Sequence, residues 1–200
     1  MDPFISTVDL EAMLDTTFAV PTPLPVKIAL DSACQRVRTY LGQTINLVED
    51  DVEVHSGTGR RKLRLRERPV RAVTLVTIDD VETTNYTRRD AVLTLKNSDV
   101  WTYGNDNIEV TYDHGYDLVE PSDNNVPADI RLVALILARR VYESLGSVTG
   151  TVVQETIGDY SYQLSDNAEA AVSSAAELLE AEKYALDRYR IDLVGDSPTY

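Results

Sequence analysis

The spacing of hydrophobic residues changes twice along this chain, and this change limits the folds that the chain can adopt. Between about residues 48 and 120, Val, Thr and Ile recur in short runs separated by turn residues, for example in 73–78 and 108–112. Such runs are typical of short antiparallel strands. On both sides of this region, apolar residues recur every three or four positions, as they do on a helix. The sequence therefore predicts a β region between two helical parts.

Four helices are predicted outside the β region. The first begins near residue 7 behind a hydroxyl cap, and the second ends at Gly42, because glycine favours the left-handed conformation at helix C-termini. The third begins at Pro127, since proline suits the first position of a helix, and it is apolar around most of its circumference. The fourth is expected to be one long helix over residues 167–191.

These elements predict an α+β fold, mostly a helical bundle of about four helices with an inserted small antiparallel β region. We expect a single domain over residues 1–200, because neither helix pair could bury its apolar faces alone. The helical parts lie at about 7–45 and 126–192, and the β insertion lies at about 48–120. Residues 193–200 are expected to form a flexible C-terminal tail.

Charge and composition argue against several classes of protein. The net charge of -14 disfavours tight binding to nucleic-acid phosphates over most of the surface. The longest apolar run, residues 132–138, is far shorter than the roughly 20 residues that cross a bilayer, so no membrane partner is expected. The single cysteine, Cys34, excludes an intrachain disulfide and is expected to be a small buried hydrophobe. The N-terminus lacks a secretory signal, so we expect the protein to be made in a host cytoplasm.

Few residues could form a catalytic or metal site. His55 and His114 belong to no His-x-x-x-His pair, and the chain has neither a Cys-x-x-Cys pair nor a phosphate-binding Gly-rich loop followed by lysine. Asp113 and His114 could exchange a proton, but adjacent residues on a strand point to opposite faces. We therefore expect no enzymatic activity, no metal and no cofactor. A small hydrolase that uses Asp113 and His114 is the weakest alternative.

One basic segment departs from the acidic background. Seven cations fall within twelve residues: Arg60, Arg61, Lys62, Arg64, Arg66, Arg68 and Arg71. On a strand, Arg64, Arg66 and Arg68 would share one face. Three interpretations remain open: an edge strand protected from aggregation by charge, a contact with an acidic neighbouring subunit, and a contact with the DNA backbone. The subunit contact is the stronger of the two specific hypotheses.

Six stretches of the chain, considered together, resemble a known family. They are residues 37–42, 63–65 with 69–73, 110–116, 126–131, 138–142 and 155–162. The most specific combination is the Tyr-x-x-Gly-Tyr turn, then the Val-Pro-Ala-Asp-Ile helix start, then the Ile-Gly-Asp-Tyr-Ser segment. In this order and spacing, over about residues 26–190, they resemble the bacteriophage head-tail connector (adaptor, or head completion) protein family.

This resemblance implies a structural virion protein at the head–tail interface. Such a protein would form a ring, expected to be a dodecamer that matches the portal, although it could remain a monomer when isolated. It would dock on the portal protein after DNA packaging and connect to a stopper or tail-completion protein. DNA would pass through the lumen during genome ejection without sequence-specific binding. The alternative within the same particle is a tail-completion or terminator protein, which is usually richer in β structure.

The resemblance also directs attention to two segments. Residues 146–167 form a hairpin or an ordered loop that is too apolar to be idle. The subunit-interface candidates are Val152, Val153, Ile157, Tyr160 and Tyr162, together with Arg64, Arg66 and Arg68. The C-terminal tail could become ordered in a groove of the portal. The portal-binding candidates are Asp196, Ser197, Pro198, Thr199 and Tyr200.

Overall fold

The computed structural model describes residues 2–118, 125–147, 152–156, 161–164 and 173–191. The chain divides into two compact units. The helical unit contains residues 1–42 and 126–190, and the β unit contains residues 43–125 and 191–200. Whether the two units act as one domain, as the sequence predicts, stays a prediction.

Four α-helices of the helical unit have both of their ends within the described residues. They are α1 (Thr7–Leu14), α2 (Leu24–Leu41), α3 (Ala128–Ser147) and α4 (Glu180–Leu186), which continues into a 3₁₀ turn at Asp187–Tyr189. The start of α1 is capped by Ser6, whose hydroxyl accepts a hydrogen bond of 3.1 Å from the amide of Asp9. The end of α2 is Gly42 at φ 67°, the left-handed conformation expected there. The first three helices therefore lie where the sequence predicts them.

The core of the helical unit lies between α2 and α3. Ala29 and Ala33 of α2 and Ala134 and Ala138 of α3 are fully buried, and small side chains allow two helices to approach closely. Helix α4 is tied to α3 by an ion pair in which Arg140 Nη2 lies 2.7 Å from the Oε2 atom of Glu182. None of the helices that the structure describes is long and apolar enough to cross a membrane.

The prediction of one continuous helix over residues 167–191 is wrong in the described part of that range. Residues 173–175 are helical but residues 177–179 are not, and α4 starts only at Glu180. The break coincides with a local cap, because the carboxylate of Glu182 accepts a hydrogen bond of 2.9 Å from the amide of Leu179. The three- and four-residue spacing of apolar side chains continues across such a break, so hydrophobic periodicity alone does not reveal the break.

The β unit contains two antiparallel sheets. Its strands are β1 (Val48–Gly57), β2 (Lys62–Arg64), β3 (Val70–Ile78), β4 (Val81–Glu82), β5 (Tyr86–Arg89), β6 (Val92–Leu95) and β7 (Gly104–His114). The four-stranded sheet has the order β1-β7-β3-β4, and the three-stranded sheet has the order β2-β6-β5. A further hairpin, β8 (Val152–Thr156) with β9 (Ser161–Leu164), lies in the helical unit, so the predicted hairpin is confirmed for the described residues 152–156 and 161–164.

The two sheets of the β unit share one hydrophobic core. Ten buried residues form it: Leu63, Leu65, Val76, Ala91, Leu93, Leu95, Trp101, Ile108, Val110 and Tyr112. Full burial of a valine, leucine or isoleucine side chain stabilises a fold by about 1.5–3 kcal/mol relative to its exposure to water. The β unit therefore has a core of its own, like a small sandwich.

The prediction of a mostly helical bundle is therefore wrong. The β region is not a small insertion but two packed sheets with their own core. Sequence reasoning underestimated it because only the apolar centres of the strands were visible. Backbone pairing extends β1 and β7 to ten and eleven residues, through polar and acidic positions that resemble loop sequence. Such residues are accommodated because one face of an antiparallel sheet can be solvated.

Candidate functional site

The three-stranded sheet presents a basic face to solvent. Leu63 is buried in the core, so its neighbours Lys62 and Arg64 point outward. Val92 of the central strand β6 pairs with Arg64 of β2 on one side and with Arg89 of β5 on the other side. Directly opposite residues of antiparallel strands lie on one face. Lys62, Arg64 and Arg89 therefore form a single surface, called here the basic face.

The basic face opens into a groove of about 1140 Å³. The preceding loop adds Arg60 and Arg61 to its lining, and Asp90 is the acidic residue among the lining positions. Arg61 donates a hydrogen bond of 3.2 Å to the carbonyl of Leu95. The groove is larger than the roughly 300–1,000 Å³ pockets that enclose small molecules. Cationic side chains dominate the charge of its lining.

The cations of the basic face are not neutralised within the described part of the chain. Lys62, Arg64 and Arg89 form no ion pair there, although other cations of the chain do. All three are exposed. Exposed guanidinium and ammonium groups without a carboxylate partner remain available to bind carboxylates or phosphates.

The three predicted interface arginines do not share one strand face. Strand β2 ends at Arg64, so Arg66 and Arg68 lie beyond it. Arg66 is exposed, yet its Nε atom lies 3.3 Å from the carboxylate of Glu53. Arg68 is half-buried, and burial together with the charge of Arg64 lowers its pKa. Of these three, Arg64 alone belongs to the basic face, and an interface role for all of them stays a prediction.

A buried carboxylate links the four-stranded sheet to the loop that follows β2. Glu53 accepts a hydrogen bond of 2.6 Å from the hydroxyl of Tyr112 and one of 3.1 Å from the amide of Arg66. Its other oxygen lies 3.0 Å from His55 Nε2. Burial opposes ionisation of Glu53, but contacts with His55, Tyr112 and the Arg66 amide outweigh it and hold its pKa below the ordinary value. Glu53 thus anchors the loop that carries Arg66.

His114 is held between two other carboxylates. Its ring is buried, with Nε2 3.0 Å from Asp51 Oδ2 and Nδ1 4.0 Å from Glu67 Oε2. Asp113 points to the other sheet face, where it accepts a hydrogen bond from the amide of Asp50. Asp113 and His114 therefore do not meet. Among the residues described, no group of His, Cys, Asp and Glu could hold a metal ion.

Sequence reasoning missed part of the basic face. Arg89 joins Arg64 only through the pairing of β5 and β2 with β6. The signal available in the sequence was the Arg88-Arg89 pair before the turn at Asp90, but nothing indicated which strand it would flank. Register is fixed by tertiary packing, which the sequence does not show directly.

The other predicted site residues lie on the hairpin or outside the described residues. Val152, Val153 and Tyr162 belong to the paired strands β8 and β9. Ile157 and Tyr160 lie outside the described residues, as do all five portal-binding candidates, Asp196, Ser197, Pro198, Thr199 and Tyr200. Their interface and portal-binding roles stay predictions.

Comparison with known families decides the class of the chain. The family described as "Head completion protein" matches residues 5–144, which is more than half of the chain. This chain belongs to the head completion protein family. The family that the sequence resembles is thus confirmed, and so is the predicted location in the virion. The chain has a structural role at the junction of head and tail.

Solved structures show the same fold. A chain from the "Neck of empty GTA particle computed with C6 symmetry" is 14% identical, with a TM-score of 0.53 over 96% of this chain and 92% of that one. A chain from the "Neck of native GTA particle computed with C12 symmetry" is 12% identical, with a TM-score of 0.51 over 96% and 91%. The "Virion of native gene transfer agent (GTA) particle" contains a chain that is 13% identical, with a TM-score of 0.53 over 96% and 92%. No curated protein matches the chain significantly.

Proposed function

We propose that this head completion protein forms a ring at the head–tail junction, docks on the portal protein after DNA packaging and offers its other side to a stopper or tail-completion protein. The match of the family to residues 5–144 carries this proposal. The fold shared with neck chains from reconstructions of six- and twelve-fold symmetry supports a ring. We propose twelve copies, which would match the portal. The isolated protein can be a monomer at low concentration, because self-association follows mass action.

The proposed ring leaves a channel for DNA during genome ejection. A net charge of -14 suits this role, because an acidic surface repels the phosphate backbone instead of gripping it. Contacts with DNA would then be few and independent of sequence. The protein would act through its contacts alone, without catalysis.

Tail completion was the alternative within the same particle. The high β content of this chain removes the argument that its helices exclude that role. The family match favours head completion instead. The portal, and not the isolated tail, is therefore the proposed first partner.

The hairpin of β8 and β9 is the proposed contact between neighbouring subunits. Its backbone forms a paired unit, Val152–Thr156 with Ser161–Leu164. The outer backbone groups of a two-stranded hairpin can pair with another chain. Deletion of residues 146–167 should yield a folded monomer that no longer assembles. Rings of normal size from the deleted protein would exclude the hairpin from the interface.

The C-terminal residues are the proposed portal contact. Removal of residues 196–200 should weaken binding to purified portal rings and leave the helical circular dichroism spectrum unchanged. Unchanged portal binding after this truncation would reject the proposed role of the tail. The hairpin deletion tests assembly separately, so the two roles can be distinguished.

The proposed function is tested by mixing the purified protein with purified portal rings. Negative-stain electron microscopy should show an added collar beneath the portal, in which the subunits can be counted. Isolated tails, mixed in the same way, serve as the comparison. Binding to tails but not to portal rings would refute the proposed docking and favour tail completion, and binding to neither would refute both roles.

A further inference from the structure

The β unit carries a second charged surface, on the side opposite the basic face. The core lies between the two sheets, so each sheet has an outer face directed away from the other. On the four-stranded sheet, Val110 and Tyr112 are buried, and the residues between and beside them, Glu109, Thr111 and Asp113, point outward. The outward positions of this sheet form what is called here the acidic face.

Strand register places the acids of this face at its two ends. Thr77 lies opposite Glu82 on one side and opposite Glu109 on the other, so both carboxylates flank one threonine. At the far end, Asp50 and Asp113 are linked by a hydrogen bond of 2.9 Å from the Asp50 amide. None of these four carboxylates forms an ion pair within the described ranges.

Exposed apolar side chains lie between these acids. Val52 pairs with Thr111, Val54 with Glu109, and Leu75 with Thr111 from the other side. Val52 is 51% exposed, Val54 42% and Leu75 36%. Apolar side chains grouped on one sheet face and rimmed by charge are typical of a protein–protein contact. Nucleic acid would not cover an acidic face of this kind, because its phosphates would be repelled.

We propose that the acidic face of one subunit packs on the basic face of the next copy of this chain. The proposal rests on the proposed ring and names a contact within it. One such contact would give a partner to Lys62, Arg64 and Arg89 and would cover Val52 and Val54. DNA at the basic face would leave the acidic face unexplained, whereas a second copy accounts for both surfaces.

The placement of the two faces fits repeated assembly. They belong to opposite sides of one sandwich, so each copy offers one face to each neighbour. A contact between two different surfaces is heterologous, and it generates a closed ring when its rotation closes. Complementary charge also selects the correct partner, since two basic faces or two acidic faces repel each other. The basic face is thus a device for subunit pairing on an otherwise acidic protein.

Charge reversal tests this contact. The basic-face variant is Lys62→Glu with Arg64→Glu, and the acidic-face variant is Glu82→Lys with Glu109→Lys. Each variant alone should self-associate at least about tenfold more weakly than the wild type in sedimentation velocity at low salt. An equimolar mixture should associate, because each variant then meets an opposite charge on both faces. All four positions are exposed, and Trp101 fluorescence checks that both variants are folded.

A matched control separates the contact from net charge. Lys27→Glu with Arg36→Glu changes the charge by the same amount at exposed positions of α2, and it should associate as the wild type does. A mixture of the two reversed variants that stays monomeric at a concentration at which the wild type associates would overturn the proposal. The proposal would also be overturned if the basic-face variant self-associated as strongly as the wild type but no longer bound duplex DNA. That result would assign the basic face to DNA.

The same variants distinguish this proposal from the proposed function. A portal collar formed by the wild type and equally by the basic-face variant would reject the subunit contact and leave the ring in place. Failure of the wild type to form any collar would reject the proposed function, whatever the variants do. A collar formed by the wild type and by the mixture, but by neither variant alone, would support both.

Discussion

Tyr112 offers a sharp test of how the β unit is held together. Its side chain is fully buried, and its hydroxyl donates a hydrogen bond of 2.6 Å to the carboxylate of Glu53. Tyr112→Phe removes this hydrogen bond, together with a longer one of 3.3 Å that the hydroxyl accepts from the amide of Glu67, and leaves the ring in the core. A hydrogen bond to a charged group contributes about 1.5–3 kcal/mol. Because Glu53 keeps the amide of Arg66 and its contact with His55, we expect a loss of about 2 kcal/mol.

The assay follows from the composition of the chain. The single tryptophan, Trp101, is buried in the core of the β unit, so its fluorescence reports unfolding of that unit. With a urea dependence of about 2 kcal/mol per molar, a loss of about 2 kcal/mol lowers the midpoint by roughly 1 M. The control is Tyr103→Phe, because Tyr103 is 83% exposed and its change should stay within about 0.5 kcal/mol. Equal midpoints for the two variants would refute the role assigned to the Tyr112 hydroxyl.

The effect of Tyr112→Phe should also depend on pH. The folded-state pKa of Glu53 lies below its ordinary value of 4.5, because contacts with His55, Tyr112 and the Arg66 amide outweigh burial, which acts in the opposite direction. Ionised Glu53 therefore contributes stability above pH 4.5, and this contribution is lost as the pH falls through the lowered pKa. The difference between wild type and variant should be full at pH 7 and shrink below pH 4.5. A constant difference down to pH 3 would contradict this assignment.

Three further predictions concern a glycine, an ion pair and a buried thiol, and the first two have a matched control position. Gly115→Ala should destabilise the β unit by more than about 2 kcal/mol in urea, because a Cβ there would lie 2.2 Å from the carbonyl oxygen of Asn46 at φ +90°. Gly59→Ala, at φ +70° but with no atom near, should cost only about 1 kcal/mol. Arg140→Ala should lower the free energy of unfolding of the helical unit by about 2 kcal/mol, because it leaves the buried carboxylate of Glu182 without its cation. Circular dichroism measures this change. Arg139→Ala, which breaks a half-exposed pair, should change this free energy by less than about 0.5 kcal/mol. Burial raises the pKa of the Cys34 thiol to about 11, so a thiol reagent at pH 8 should react only after denaturation.

The helices were more predictable from sequence than the sheets, because their signals are local. A capping hydroxyl at Ser6 and a glycine at position 42 lie within one turn of the helix ends they define. The non-helical conformation of residues 177–179 was not predictable, because the apolar spacing of a helix continues through the break that the Glu182 cap makes. The strands were predicted at their apolar centres, but their length and pairing depend on partners distant in sequence.

The candidate site was harder to predict, because it depends on side-chain orientation and strand register, which the sequence does not show directly. Alternation of Val52 and Val54 indicates a strand, but hydrophobicity would assign those valines to the core. In the structure they point outward, and Glu53 and His55 point inward. Burial of Glu53 is possible because Tyr112 and Arg66 supply its hydrogen bonds. The basic segment was visible at once, whereas its partner Arg89 and the acidic face required the register of both sheets.

The central claim, a structural joint between head and tail, is tested most directly by assembly without this protein. Particles made in cells that lack it should accumulate as DNA-filled heads and separate tails, which electron microscopy and sedimentation can count. Addition of the purified protein should join them into complete particles. Normal joining of heads to tails in its absence would contradict the claim.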